Sequence, residues 1–150
     1  MSKRILITND DGIGADGIRK LAEIARRFGE VTVVAPDAQR SAASHHCIFS
    51  KPLILKEYDF GPDGIRAYTL DGTPADCVRV GIFAAMDRKP DIVLSGINHG
   101  YNISSDIQYS GTVGADPVII CNQYVFSHEV LLCVSGILFS SQRSVLWKAD

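Results

Sequence analysis

Apolar residues recur along this chain with two periods. Ile5-Leu6-Ile7 is a short unbroken apolar run rich in β-branched residues, the pattern of a strand covered on both faces. Ile18, Leu21, Ala22, Ala25 and Phe28 then follow helical spacing and predict a helix over about Asp16 to Phe28, with Gly29 as its C-terminal stop. Val31-Thr32-Val33-Val34-Ala35 reads as a second buried strand closed by Pro36. Strand, helix and strand form a βαβ unit, which requires parallel strands and favours a right-handed crossover.

Pro52-Leu53-Ile54-Leu55-Lys56 and Ile65-Arg66-Ala67-Tyr68-Thr69-Leu70 are two further strands. The punctuation Gly61-Pro62-Asp63-Gly64 between them predicts a hairpin standing out from the main sheet. Gly72-Thr73-Pro74-Ala75-Asp76 opens a second helix: Thr73 caps, Pro74 fits the first helical position, and Asp76 sits three after the cap. This helix is expected to reach about Met86, with Val78, Ile82 and Phe83 toward the core and Arg88-Lys89-Pro90 beyond its end. Asp91-Ile92-Val93-Leu94-Ser95 is another short buried strand. Val118-Ile119-Ile120 and Val130-Leu131-Leu132-Cys133-Val134 fit strands or buried helix turns equally, and Trp147 is available to pack on the core.

Composition narrows the classes. A chain of 150 residues with 46% apolar and 21% charged residues suits one soluble globular domain. A net charge of -2 supplies no general basic field, so nucleic acid is not expected as a bulk partner and any phosphate must be held locally. The expectation is no membrane partner: Met1-Ser2-Lys3-Arg4 leads into a strand, and no run is long enough to cross a bilayer. Cys47, Cys77, Cys121 and Cys133 show no paired spacing and read as reduced, mostly buried thiols of a cytoplasmic protein.

Candidate chemistry lies just beyond the strands. Asn9-Asp10-Asp11-Gly12 ends the first strand with turn residues, at the sheet edge where open α/β folds hold ligands. Two adjacent carboxylates repel unless a cation lies between them, which reads as a site for Mg²⁺ or Mn²⁺. The competing reading is a polar strand-to-helix turn with Asp serving as a cap. The loop Pro36 to Ser44 belongs to the same edge and carries Ser41 and the Arg40 fork, either of which could face the crevice; composition alone favours an ordinary solvated loop. His45 and His46 are adjacent, cannot easily share a metal, and read as surface residues. Asn98, after the Asp91–Ser95 strand, offers a neutral oxygen suited to a third ligand. Ser110-Gly111-Thr112 can expose backbone N–H groups to phosphate. Helix capping explains Thr73 without a functional role, and Tyr101 and Tyr109 read as base-stacking or as core residues.

Taken in order, Asn9-Asp10-Asp11-Gly12, Ala35-Pro36 with Arg40-Ser41, Gly72-Thr73-Pro74-Ala75-Asp76-Cys77, Ser95-Gly96-Ile97-Asn98-His99-Gly100 with Asn102, and Tyr109-Ser110-Gly111-Thr112-Val113-Gly114-Ala115 resemble the SurE (survival protein E) family. The resemblance runs from about residue 3 to 115. It implies an α/β, Rossmann-like three-layer core with a mostly parallel sheet and protruding β-hairpin arms that build dimers or tetramers. It also implies a metal-dependent 5′/3′-nucleotidase acting on nucleoside monophosphates, with short polyphosphate left open as a further substrate. Carried over by motif, one divalent ion (Mg²⁺ or Mn²⁺) per subunit sits on Asp10, Asp11, Ser41 and Asn98. Asn9, Asp10 and Asp11 are then catalytic, and Asn9, Ser110, Gly111 and Thr112 lie at the phosphate.

The likeness stops at Asp116-Pro117, where a proline would interrupt a helix begun near Thr112. We therefore expect a core over residues 1–115 and a divergent segment of the same domain over 116–150. No nucleophile–base–orienter pattern supports a covalent seryl route, and the general base stays unassigned. The alternatives are a non-catalytic remnant that binds metal or nucleotide, and a fragment with no site at all.

Overall fold

A computed structural model describes residues 2–43, 45–61 and 64–98, together with the backbone of four later strand segments at 119–126, 129–134, 137–140 and 147–148. The chain runs β1 (Lys3–Thr8), α1 (Asp16–Ala25), β2 (Gly29–Pro36), β3 (Leu55–Glu57), β4 (Arg66–Leu70), α2 (Pro74–Val80) and β5 (Ile92–Asn98). The later strands are β6 (Ile119–Phe126), β7 (Glu129–Val134), β8 (Ile137–Ser140) and β9 (Trp147–Lys148).

One mixed sheet holds them in the order β3-β4-β2-β1-β5-β6-β7-β8-β9. Its centre is parallel: β1 pairs with β2 and with β5, β2 with β4, and β5 with β6. Both ends are antiparallel, through β3 on β4 and through the run β6 to β9. Both apolar runs of the C-terminal tail thus form strands.

Strand alternation sorts the core into two layers, as side chains on a strand point alternately to opposite faces. Ile5, Ile7, Val31, Val33, Ala35 and Ala67 pack with Ile18, Leu21, Ala22 and Ala25 of α1. On the other face Leu6, Val34, Leu70 and Val93 pack with Cys77 and Val78 of α2. The outcome is an α/β fold with helices on both sides of a sheet whose central strands are apolar on both faces.

Several local expectations need correction. Helix α1 ends at Ala25, and Phe28 is 71% exposed. Arg27 N–H and Phe28 N–H donate to Ile24 and Ala25 carbonyls three residues back, at 3.2 and 2.9 Å. That tighter turn rotates Phe28 off the helical spacing that would have buried it. Gly29 is not a helix stop but the first residue of β2, where an added Cβ would stand 2.1 Å from the Lys3 carbonyl oxygen.

The α2 capping box forms as the sequence implies, with Thr73 and Asp76 bonding each other's backbone. The helix then opens into a π-helical turn over Gly81–Ala85, closed by Met86 N–H to the Gly81 carbonyl at 3.1 Å. The wider turn leaves Phe83 79% exposed rather than in the core. The hairpin of β3 and β4 exists, but β4 pairs parallel with β2, so the hairpin is the edge of the main sheet and does not stand out from it.

Candidate active site

Three chain segments meet at the C-terminal edge of the central strands. The first is the turn after β1. Asn9 is fully buried, and its side chain closes that turn: Nδ2 donates to the Gly12 carbonyl at 2.9 Å, and Gly12 N–H donates to Oδ1 at 3.2 Å. Gly12 has φ +98°, a left-handed conformation that glycine adopts without strain. Asp10 and Asp11 therefore sit on a turn fixed from beneath. Asp10 is buried and Asp11 half-buried.

Neither aspartate occupies the N-cap position of the following helix. The α1 cap residue is Ala15, with no side-chain capping bond, and the acid in its first turn is Asp16.

The second segment is the loop after β2. It is tied to the acidic turn by Arg40 N–H donating to the Asp10 carbonyl at 2.7 Å and by Ile13 N–H donating to the Pro36 carbonyl at 2.9 Å. At Gly12 an added Cβ would lie 3.3 Å from the Ala38 carbonyl carbon, so the two loops are in close contact. Ser41 follows Arg40 directly. Its side chain is exposed, and its hydroxyl accepts from Gln39 Nε2 at 3.0 Å. These backbone bonds hold Ser41 next to the Asp10 turn, in a loop whose residues 37–39, 41 and 42 are exposed.

The third segment is the end of β5. Thr8 and Ser95 are register partners, and three residues farther along their chains come Asp11 and Asn98. Asn98 is buried, 8% exposed, and follows Ile97, against which Gly17 of α1 packs. The structure thus brings Asp10, Asp11, Ser41 and Asn98 to one rim. Ser110, Gly111 and Thr112, with Tyr101, Tyr109 and the helix expected near Thr112, lie outside the described residues.

The donors suit a hard cation. Two carboxylates, a hydroxyl and an amide offer only oxygen besides the amide nitrogen, without thiolate or imidazole, the set that Mg²⁺ and Mn²⁺ take. Among the described residues no three or more His, Cys, Asp or Glu side chains form a metal cluster. His45 and His46 are exposed, as expected.

Two contributions escaped the sequence reading. The Arg40 guanidinium donates through Nη2 to Asp37 Oδ1 at 2.8 Å, which stiffens the loop that carries Ser41. Its open reading as a fork facing the crevice becomes an ion pair within the loop. Asn9 bonds Gly12 through both polar side-chain atoms and so sets the turn that carries the aspartates. An i,i+3 spacing between Asp37 and Arg40 was the available signal for the first. Beneath the site, the Cys77 thiol lies on the α2 face, and burial pushes its pKa well up.

The chain matches the profile of the family described as Survival protein SurE over residues 5–137. It is 52% identical over 111 residues to the 5'-nucleotidase SurE of Clostridium botulinum (strain Kyoto / Type A2), covering 74% of this chain and 44% of that protein. It is 51% identical over 112 residues to the 5'-nucleotidase SurE of Thermoanaerobacter sp. (strain X514), covering 75% and 44%. Among solved structures, the crystal structure of Sure protein from Aquifex aeolicus superposes with a TM-score of 0.67 and 45% identity, over 75% of this chain and 44% of that one. The matched stretch therefore spans less than half the length of these relatives. With Asp10, Asp11, Ser41 and Asn98 on one rim and the profile matched over residues 5–137 of 150, this chain belongs to the SurE family.

Proposed function

We propose that this chain carries the metal and phosphate site of a nucleotidase that hydrolyses nucleoside 5′-monophosphates, with 3′-monophosphates as further substrates. One observation carries the reading: a doubly acidic turn meets a tethered serine loop and an asparagine strand end at one sheet edge. The relatives' printed name, 5'-nucleotidase SurE, supports the substrate class. We assign 1–115 as the catalytic core and 116–150 as a divergent segment of the same domain.

In this reading Asp10, Asp11, Ser41 and Asn98 hold one Mg²⁺ or Mn²⁺. When bound, such an ion neutralises phosphate charge as a Lewis acid and lowers the pKa of a coordinated water. Asn9 fixes the acidic turn in the bound geometry, which matters because a misplacement of about 1 Å can cost about a hundredfold in rate. Ser110, Gly111 and Thr112 supply hydroxyl and backbone donors to the phosphate oxygens. The substrate partner is a nucleoside monophosphate; nucleic acid and membrane are not. Among the described residues no helix is long and apolar enough to cross a membrane, and free Cys47 and Cys77 fit a reducing cytoplasm. A homo-oligomer, dimer or tetramer, rests on the resemblance, because the β3–β4 hairpin lies within the sheet edge.

The test is phosphate release from nucleoside monophosphates with Mn²⁺. Asp10→Asn is expected to lower the rate at least about a hundredfold, in line with the loss of a charged catalytic contact. Intact turnover in that variant refutes the assignment.

The divergent sequence of 116–150 favours a second reading, a non-catalytic remnant that binds metal or nucleotide. It predicts that Mn²⁺ raises the melting temperature through Asp10 while no phosphate appears.

A further inference from the structure

The loop that begins at Ser41 returns to the body of the protein at α2, and one buried carboxylate receives it there. Asp76 is fully buried in the first turn of α2. Helix capping requires only its bond from Thr73 N–H, at 3.2 Å to Oδ2. It does more than that. Ile48 N–H lies 3.2 and 3.1 Å from Oδ1 and Oδ2, and Arg79 Nη2 donates to Oδ1 at 3.0 Å.

The same network holds the loop at two further points. The Thr73 hydroxyl donates to the His46 carbonyl at 2.5 Å, and Arg79 Nη2 reaches the Ile48 carbonyl at 3.3 Å. The Arg79 guanidinium also lies 4.6 Å from the centre of the Phe49 ring. Residues 46–49 are thereby bound to the helix start through backbone atoms and one ring. The other end of the loop is bound by Arg40 N–H on the Asp10 carbonyl. Ser41 is the first residue of the short span between these anchors.

We propose that Asp76 is a positioning residue for the candidate ligand Ser41: it fixes the returning limb of the loop at Ile48 and, through Thr73, at His46. This rests on the reading of Ser41 as a metal ligand given above. The physical reason is that a single anchor leaves a loop free to pivot, while two anchors restrict the orientations of a hydroxyl that must meet an ion. Asp76 suits the task because a carboxylate offers two acceptor oxygens, and backbone N–H and guanidinium donors converge on them. An amide at this position would turn a donor toward donors.

The experiment measures Mn²⁺ affinity on the full chain, from the electron paramagnetic resonance signal of free Mn²⁺, for wild type, Ser41→Ala, Asp76→Asn and the double variant. Asp76→Asn is expected to weaken Mn²⁺ binding about tenfold, the usual loss when a group behind a ligand is removed. Because Asp76 acts through Ser41, the double variant should bind no more weakly than Ser41→Ala. A purely structural role would multiply the two losses, and that outcome overturns the proposal, as does wild-type affinity in Asp76→Asn. A wild-type chain that binds no Mn²⁺ removes the metal reading and this inference with it. Binding by wild type that Asp76→Asn leaves untouched removes this inference alone. Should Asp76→Asn fail to fold, Thr73→Ala and Thr73→Ser decide: the alanine variant should weaken Mn²⁺ binding and the serine variant restore it. Equal affinities in that pair overturn the proposal.

Discussion

Gly17→Ala offers the sharpest test of how α1 sits against the site. Helix propensity alone favours alanine here by at most about 1 kcal/mol, because glycine loses more backbone freedom on ordering. Packing opposes it. An added Cβ at Gly17 would stand 2.3 Å from the Ile97 carbonyl oxygen, with the carbonyl carbon at 3.2 Å and the Ile97 Cβ at 3.3 Å. Ordinary contact begins at 3.4 Å, and the nearest obstacle is backbone, which cannot swing aside as a flexible side chain does. Either α1 moves outward or the end of β5 moves, together with Asn98 and its pairing to Asn122 of β6.

Overpacking of this kind costs about 1–3 kcal/mol, and a 2.3 Å approach to backbone belongs at the upper end, so a net loss of about 2 kcal/mol remains after the propensity gain. At this chain length each kcal/mol corresponds to roughly 2–4 °C, so the melting temperature should fall by roughly 4–8 °C. Thermal and urea unfolding measure it. Gly14→Ala is the control: its nearest neighbour would be the Tyr58 hydroxyl at 3.9 Å, ordinary contact. That variant should hold its melting temperature or gain slightly, by up to about 1 kcal/mol. Wild-type stability in Gly17→Ala, or an equal loss in Gly14→Ala, refutes the packing argument.

Two further expectations concern titratable groups. Asp71 is held below its ordinary value of 3.8 by Ile54 N–H and Lys51, and Asp91 likewise by Arg4 N–H and the Arg4 guanidinium. A carboxylate whose folded pKa is depressed contributes stability above its unfolded pKa and loses it as pH falls through the folded value. The urea midpoint should therefore drop as pH is lowered below about 4, and less steeply in an Asp71→Asn/Asp91→Asn double variant. Identical pH profiles would show that neither contact favours the folded state. Cys77 is fully buried with its pKa pushed up, whereas Cys47 is half-buried. In native buffer a thiol reagent followed by peptide mapping should label Cys47 well before Cys77. Labelling at equal rates would contradict the packing of Cys77 beneath β1.

Much of the fold was legible in residue order because the responsible forces are local. Ile5-Leu6-Ile7 and Val31 to Ala35 identify buried parallel strands by their unbroken apolar character, and Thr73, Pro74 and Asp76 identify a helix start by short-range hydrogen bonding. Phe28 and Phe83 were misplaced because each lies just past a change of helical winding, which spacing alone does not reveal. The hairpin was found but not its place, since pairing of β4 with β2 joins segments more than thirty residues apart.

For the site, the sequence by itself supplied the proposed donors: Asp10, Asp11, Ser41 and Asn98 carry side-chain oxygen at or just beyond the ends of three strands. Their meeting at one rim was a tertiary decision. It depends on β1 lying between β2 and β5, on Arg40 N–H reaching the Asp10 carbonyl, and on Ala15 rather than an aspartate standing at the start of α1. The roles of Asn9 and Asp76 belong there as well, because a buried polar side chain takes its partners from whatever backbone the fold brings beside it.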